Sequence, residues 1–453
     1  MKQRYTLFLL ILVGLSFIFG WVGCRPSISA YRPSLGKVDV GNFQAFGDGY
    51  SAGFANTDTE SPQSLLGLYA DAQSFAFPAL MATQFNLIRN VSFNQHLATD
   101  AGSGYYYLTE ATQSNCPDRL IQSQIERADA LPEWQVGPDA SLYATIDNWA
   151  LPHVKIADIT QNDLTTTEKI FMGRLSPTGS VNMTYLDHVQ QAEPSFFTLW
   201  MGTRDILEYA ISGGANPAYP LTPPAEFAKN FARLLDSLHS PGQNGPLGII
   251  GNIPDVTVFP FFHHISHTFS NSEFCDDDPL PLYIRRSSNS GESVEAIQSD
   301  YILLRAKDRI GEIDPAPGNP LPKGLDPENP LPESWVLDFE EAYQLRLHVE
   351  AYNDIIDSLI QSHNASLSTP AFVKVDLYNL FQNLNASGIT LNGLEITNEY
   401  LLGGIFSLDG LYLTPRGQAL IANEFINAIN QAPQWSATVP FLNITDYQGV
   451  VFP

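Results

Sequence analysis

Residues 46 to 54 read FGDGYSAGF. A strand that ends in Gly-Asp and turns at once into a helix presents a short side chain at the top of a sheet, where a hydroxyl can attack a carbonyl. The turn position that would carry this group is Gly49, which has no side chain. Ser51 follows two residues later, where the helix should start. Its hydroxyl is expected to cap that turn, and it stands as the alternative nucleophile. Acyl transfer also requires a base oriented by a carboxylate, and donors for the oxyanion. Asp409 and Tyr412 sit three apart in FSLDGLYLTP, and Arg204 and Asp205 follow the apolar run in LWMGTRDIL. Histidines cluster in FFHHISHTF as His263, His264 and His267. His263 and His267 would share a face if this stretch were helical, and could then hold a metal. The surrounding residues read as loop, so three unliganded rim histidines are the plainer expectation, with no metal and no cofactor. His96, in FNQHL, is expected to be a solvated rim residue.

Four blocks fall at strand ends in one order: GDGYSAG, FNQHLATDAGSG (93–104), LWMGTRDIL (199–207) and FSLDGLYLTPRGQALIANEFINAI (406–429). This order resembles the SGNH/GDSL hydrolase superfamily, more closely its lipoprotein branch with long insertions, over residues 41–430. The resemblance implies a serine in the first block, where this chain has Gly49. It implies an oxyanion glycine in the second, matched by Gly102 or Gly104. It implies an asparagine in the third, where Arg204 stands, and Asp-x-x-His in the fourth, where the chain has Asp409 and Tyr412. Without a hydroxyl at Gly49 no acyl-enzyme forms, and a tyrosine with a pKa near ~10 is a poor base at neutral pH. Arg204 carries charge but cannot reproduce the short amide donor. A buried guanidinium calls for a carboxylate, so a salt bridge from Arg204 to Asp409 or Asp48 is expected; the other reading is an anion clamp. The chain thus reads as a degenerate, non-catalytic member. The alternatives are a residual ester hydrolase using Ser51 and one of the three histidines, and a carbohydrate- or lipid-binding module that does not cleave.

Elements must hold these blocks in place. VGNFQAFG (40–47), SFFTLWMG (195–202), GPLGIIGNIPDV (245–256) and AFVKVDLYNLF (371–381) are short apolar runs flanked by Gly or Pro. They read as buried parallel strands. PAEFAKNFARLLDSLH (224–239) places Phe227, Phe231, Leu234, Leu235 and Leu238 on one helical face. Residues 337–363 read as a long amphipathic helix, and 414–430 as a last helix with Thr414 as N-cap and Pro415 at its first position. Strands alternating with helices predict an α/β fold. The family resemblance makes it a flavodoxin-like three-layer α/β/α sandwich with a mainly parallel sheet. Stretches near 105–190 and 270–334 break the rhythm and read as insertions, and 431–453 reads as a C-terminal tail. GLYADAQSFAFP (67–78) and GSGYYYL (102–108) concentrate aromatic residues. Exposed together, these would mark a protein interface or a sugar platform.

Lys2 and Arg4 precede an apolar run, TLFLLILVGLSFIFGWVG, that ends at Cys24. This reads as a signal peptide over 1–23. WVGC resembles a bacterial lipobox, although Trp21 departs from its usual leucine-like residue. Lipidation of Cys24 and a tether over 24–40 follow, with an uncleaved membrane anchor as the alternative. Cys116 and Cys275 remain, either as a disulfide or as two separate thiols. The net charge of −25 disfavours nucleic acid as a partner. The expected setting is the outer membrane, held by the lipid, with the leaflet left open. The expected partner is an outer-membrane β-barrel protein, which rests on the likeness to lipoproteins associated with fatty-acid-transporter-like barrels.

Overall fold

The computed structural model describes residues 32–98, 100–112, 122–130, 146–176, 182–214, 216–239, 245–270, 279–286, 292–313 and 321–453. The signal peptide, Cys24, Cys116 and Cys275 lie outside the described residues, and with them the lipidation and disulfide expectations.

Four strands form the central sheet: β1 (Phe43–Gly47), β2 (Phe196–Trp200), β3 (Leu247–Gly251) and β4 (Phe372–Val375). They lie in that order and every pairing is parallel. All five residues of β1 and of β2 are buried, which is why they read as mainly apolar runs, broken only by Gln44 and Thr198, rather than alternating ones. The helices that concern the site are α1 (Gly49–Ala52), α2 (Ala70–Ser74), α3 (Phe77–Asn86), α4 (Arg204–Ile211), α5 (Pro224–Leu238), α6 (Phe339–Ala365), α7 (Leu377–Ser387) and α8 (Pro415–Gln431). α3 packs on α8 and α5 on α6, while α6 and α8 both pack on β4. The result is the three-layer α/β/α arrangement. The five residues foreseen on one face of α5 are all buried. Thr414 caps α8 by accepting from the Gly417 N–H at 3.2 Å, with Pro415 at the first position.

The sheet continues beyond β1. The Ala45 N–H donates to the Asp147 carbonyl at 2.8 Å, the Trp149 N–H to Ala45 at 2.8 Å, and the Leu151 N–H to Gly47 at 3.1 Å. Residues 147–151 therefore run parallel to β1 as its outer neighbour. Taken in chain order the five segments stand 2-1-3-4-5, an order that puts ligand sites at the carboxyl ends of the strands. The stretch 105–190, expected as one insertion, is divided by this strand. Before it comes the hairpin Tyr105–Thr112 and Gln122–Ala128. After it come two helices with complete capping boxes, Thr166–Gly173 and Tyr185–Gln191. The region 270–334 has a small apolar core of its own, with Leu282, Ile284, Ile302 and Leu331 fully buried.

Two boundaries move. Residues 34–453 make one compact unit. Leu35, Val38 and Val40 are buried and Ser34 pairs with Thr438, so the tether stops short of residue 34. The same apolar logic draws the C-terminal stretch inward, where Trp435, Val439 and Ile444 join the main core.

Candidate functional site

The carboxyl end of β1 leads into the turn that the sequence singled out. Asp48 caps α1, its Oδ1 accepting from the Tyr50 N–H at 3.1 Å. The capping role expected of Ser51 thus falls to Asp48. Burial pushes the Asp48 carboxyl up to about 7, against the Tyr50 N–H and the Arg204 charge, which favour its ionised form. At Gly49 there is no room for a side chain: a Cβ would stand 2.9 Å from the Tyr412 ring and 3.4 Å from Phe54 Cβ. Ser51 is fully buried, and its hydroxyl donates to the Trp200 carbonyl on β2 at 3.4 Å. It faces the sheet, packed where any side chain at Gly47 would stand.

Arg204 opens α4, and the structure corrects its expected partner. It pairs with neither Asp409 nor Asp48 but with Glu208, Nη2 to Oε1 at 2.8 Å and Nε to the same oxygen at 3.1 Å. Helical geometry decides this, because residues four apart lie on one face of α4. The guanidinium also donates to the Pro62 carbonyl and to the Tyr412 side chain. Lys155 reaches the second Glu208 oxygen at 3.1 Å and Asp158 at 3.5 Å. A cation with this many partners is a staple rather than an anion clamp.

Asp409 stands without a histidine to orient. It accepts instead from three backbone N–H groups, those of Thr57 at 3.0 Å and of Leu411 and Tyr412 at 2.8 Å each. Burial raises its pKa against these bonds. It shapes the turn that delivers Tyr412. The Tyr412 ring lies 4.9 Å from Tyr50 and 5.1 Å from Phe54, centre to centre, and burial pushes its hydroxyl well above the ordinary tyrosine value.

The strand end beside Gly49 is 151–153, Leu-Pro-His, and it holds the residue that sequence reasoning missed. His153 takes a left-handed backbone (φ 66°), and its Nε2 lies 2.7 Å from the Ser64 carbonyl. Its ring packs on Phe54 at 5.5 Å and Phe171 at 5.4 Å. Burial, then the Arg204 charge, hold it well below the ordinary histidine value, so it is neutral. Among the described residues its Nδ1 has no hydrogen-bond partner. Gly102 and Gly104, matched to the oxyanion block, pack elsewhere. A Cβ at Gly102 would strike Leu68 and Tyr69, and one at Gly104 would strike Ala128 and Leu66. The signal that would have found His153 is the unrecognised strand at 147–151 that precedes it.

The family model of the GDSL-like lipase/acylhydrolases matches residues 45–425, most of the chain. The chain belongs to the GDSL-like lipase/acylhydrolase family. No curated protein matches it.

In this GDSL-like chain, Asp48, Gly49, Ser51, His153, Arg204, Asp409 and Tyr412 are all buried, so the centre of the site is filled by its own side chains. The loop histidines do not supply a base. The helical turn Pro260–His263 ends before His267, so His263 and His267 do not share a helical face. His263 Nε2 sits 2.8 Å from both the Val258 carbonyl and Asn398 Nδ2. His264 packs on Tyr400, and burial lowers its pKa to about 3. Among the described residues no group of three or more His, Cys, Asp or Glu could hold a metal. His96, expected in solvent, is half-buried, with Nδ1 3.0 Å from the Arg174 carbonyl, and burial lowers it to about 4.

An open cavity of about 250 Å³ lies beside this filled centre, lined in part by both aromatic-rich stretches.

Proposed function

We propose that this GDSL-fold chain does not hydrolyse esters and acts as a binding or assembly subunit. We further propose that it is exported, lipid-anchored through Cys24 and docked on an outer-membrane β-barrel protein. The observation that carries the first part is the contact between Gly49 and Tyr412. The position that needs a hydroxyl has none, and the space for one is taken by the residue that stands where the base would be. Acyl transfer needs both groups, and losing nucleophile and base together leaves only binding. The closed Arg204–Glu208–Tyr412 cluster supports the same reading, because it helps to fill the centre where a nucleophile and base would meet substrate. The anchor and the barrel partner rest on the sequence.

Hydrolysis of short-chain aryl esters by the purified mature chain tests the first part. Wild type and Ser51→Ala should both be silent. Turnover by wild type that Ser51→Ala abolishes would make this a rearranged esterase. Metabolic labelling with an alkynyl fatty acid tests the anchor: label should appear on wild type and vanish in Cys24→Ala. Co-purification from membranes under mild detergent tests the partner, and recovery of the chain alone would remove the barrel from the proposal.

A further inference from the structure

The cavity beside the filled centre has a composition that selects a ligand. Tyr69 and Phe75 reach it from the stretch around α2, and Tyr105, Tyr106 and Tyr107 reach it from the hairpin, with Asp71 among the lining groups. None of Gly49, Ser51, Arg204, Asp409 or Tyr412 lines it. Tyr69 and Tyr105 stack at 4.0 Å with 20° between their planes.

Three polar side chains of the wall, Asn56, Gln418 and Thr414, are already engaged. Asn56 donates to the Tyr69 hydroxyl at 2.7 Å and accepts from the Leu408 N–H at 3.0 Å. Gln418 accepts from the Phe77 N–H at 3.0 Å and donates to the Tyr50 carbonyl at 3.1 Å. Thr414 donates to the Gly404 carbonyl at 2.9 Å. A sugar would need free, convergent donors and acceptors for its hydroxyls, and these groups have little left to offer. An anion is disfavoured for another reason. Among the described residues no Lys, Arg or His lines the cavity, Asp71 does, and the whole chain carries −25. What the wall chiefly offers is aromatic surface and one carboxylate, with the Gln448 amide beside them. Aromatic faces attract cations, and methylated ammonium groups ask for no hydrogen bonds. Size agrees, since a cavity of ~150 Å³ already admits benzene.

We propose that this cavity binds small methylated ammonium compounds of the choline class. The site is independent of the non-hydrolytic reading, and its test does not involve ester turnover.

Titration calorimetry on the purified chain, with tetramethylammonium and choline as probes, reads it directly. The control is 3,3-dimethylbutan-1-ol, which has the shape of choline without the charge. Both cations should bind saturably, and the neutral analogue at least roughly ten-fold more weakly. Tyr107→Leu and Asp71→Asn change exposed side chains, so both should fold with an unchanged Tm. Each should weaken choline roughly three- to ten-fold. Equal binding of the neutral analogue would make the cavity merely apolar and overturn the proposal. So would absence of saturable cation binding by the folded wild type, or wild-type affinity in both variants.

Discussion

Arg204 and Glu208 form an ion pair one helical turn apart, 2.8 Å from Nη2 to Oε1, with both side chains only 3% exposed. A family position that should help bind an oxyanion has become the start of an internal staple. Staples of this kind are fragile to the loss of one member, because the remaining charge stays buried without its partner.

Glu208→Gln should therefore destabilise the chain by about 3–5 kcal/mol. Arg204→Met combined with Glu208→Leu should cost clearly less, since no buried charge is then left from this pair. Urea denaturation of the single and double variants checks the order. A double variant weaker than Glu208→Gln would contradict it.

Gly49→Ser places a Cβ against the Tyr412 ring and should cost about 1–3 kcal/mol by overpacking. Tyr412→Ala opens the same space at its own expense. The two changes combined should fall short of the sum of their separate effects, because they share one contact. Thermal unfolding of the three variants measures the shortfall, and strict additivity would show that the two positions do not compete.

The pH dependence has a sign that can be worked out at Asp48. Its carboxyl is raised from 3.8 to about 7 in the folded chain, chiefly by burial. Between those values the folded state holds a proton that the unfolded state has released, so stability falls as pH rises through this window. Asp48→Asn does not titrate. Relative to wild type it should gain stability from about pH 4 to about pH 7, at up to about 1.4 kcal/mol per unit, and gain nothing further above that. Denaturant midpoints of both proteins across pH 4–9 test this. A difference independent of pH would show that the carboxyl is not raised.

Asp409→Ala leaves three backbone N–H groups of one buried turn without their acceptor. A loss of at least about 3 kcal/mol is expected, with Asp409→Asn recovering part of it. Hydrogen exchange should quicken at Thr57, Leu411 and Tyr412. Unchanged exchange at those amides would remove the structural role assigned here.

Much of the frame was legible in the chain. β1, β2 and β3 are buried almost throughout, so their runs are mainly apolar, with Gln44 and Thr198 as exceptions, and bounded by Gly or Pro. α5 and α8 announce themselves by an apolar face or by a Thr-Pro start. Gly49, Arg204 and Tyr412 could be singled out because the order of the four blocks is legible even where their residue types depart from the family pattern. Residues 147–151 escaped notice because Asp-Asn-Trp-Ala-Leu mixes polar with apolar although four of the five are buried, Asn148 being satisfied inside by the Ser51 carbonyl and Gln95. With that strand went His153, and with it the correct strand end beside Gly49.

By itself the sequence determined the α/β class and the family, since each depends on residue type, block order and local periodicity. Only the tertiary structure decided which carboxylate Arg204 chooses, where Ser51 points, and that the aromatic stretches 67–78 and 102–108 line one cavity. Those outcomes depend on distances between segments remote in the chain, and such distances are set by packing of the whole core rather than by any local pattern.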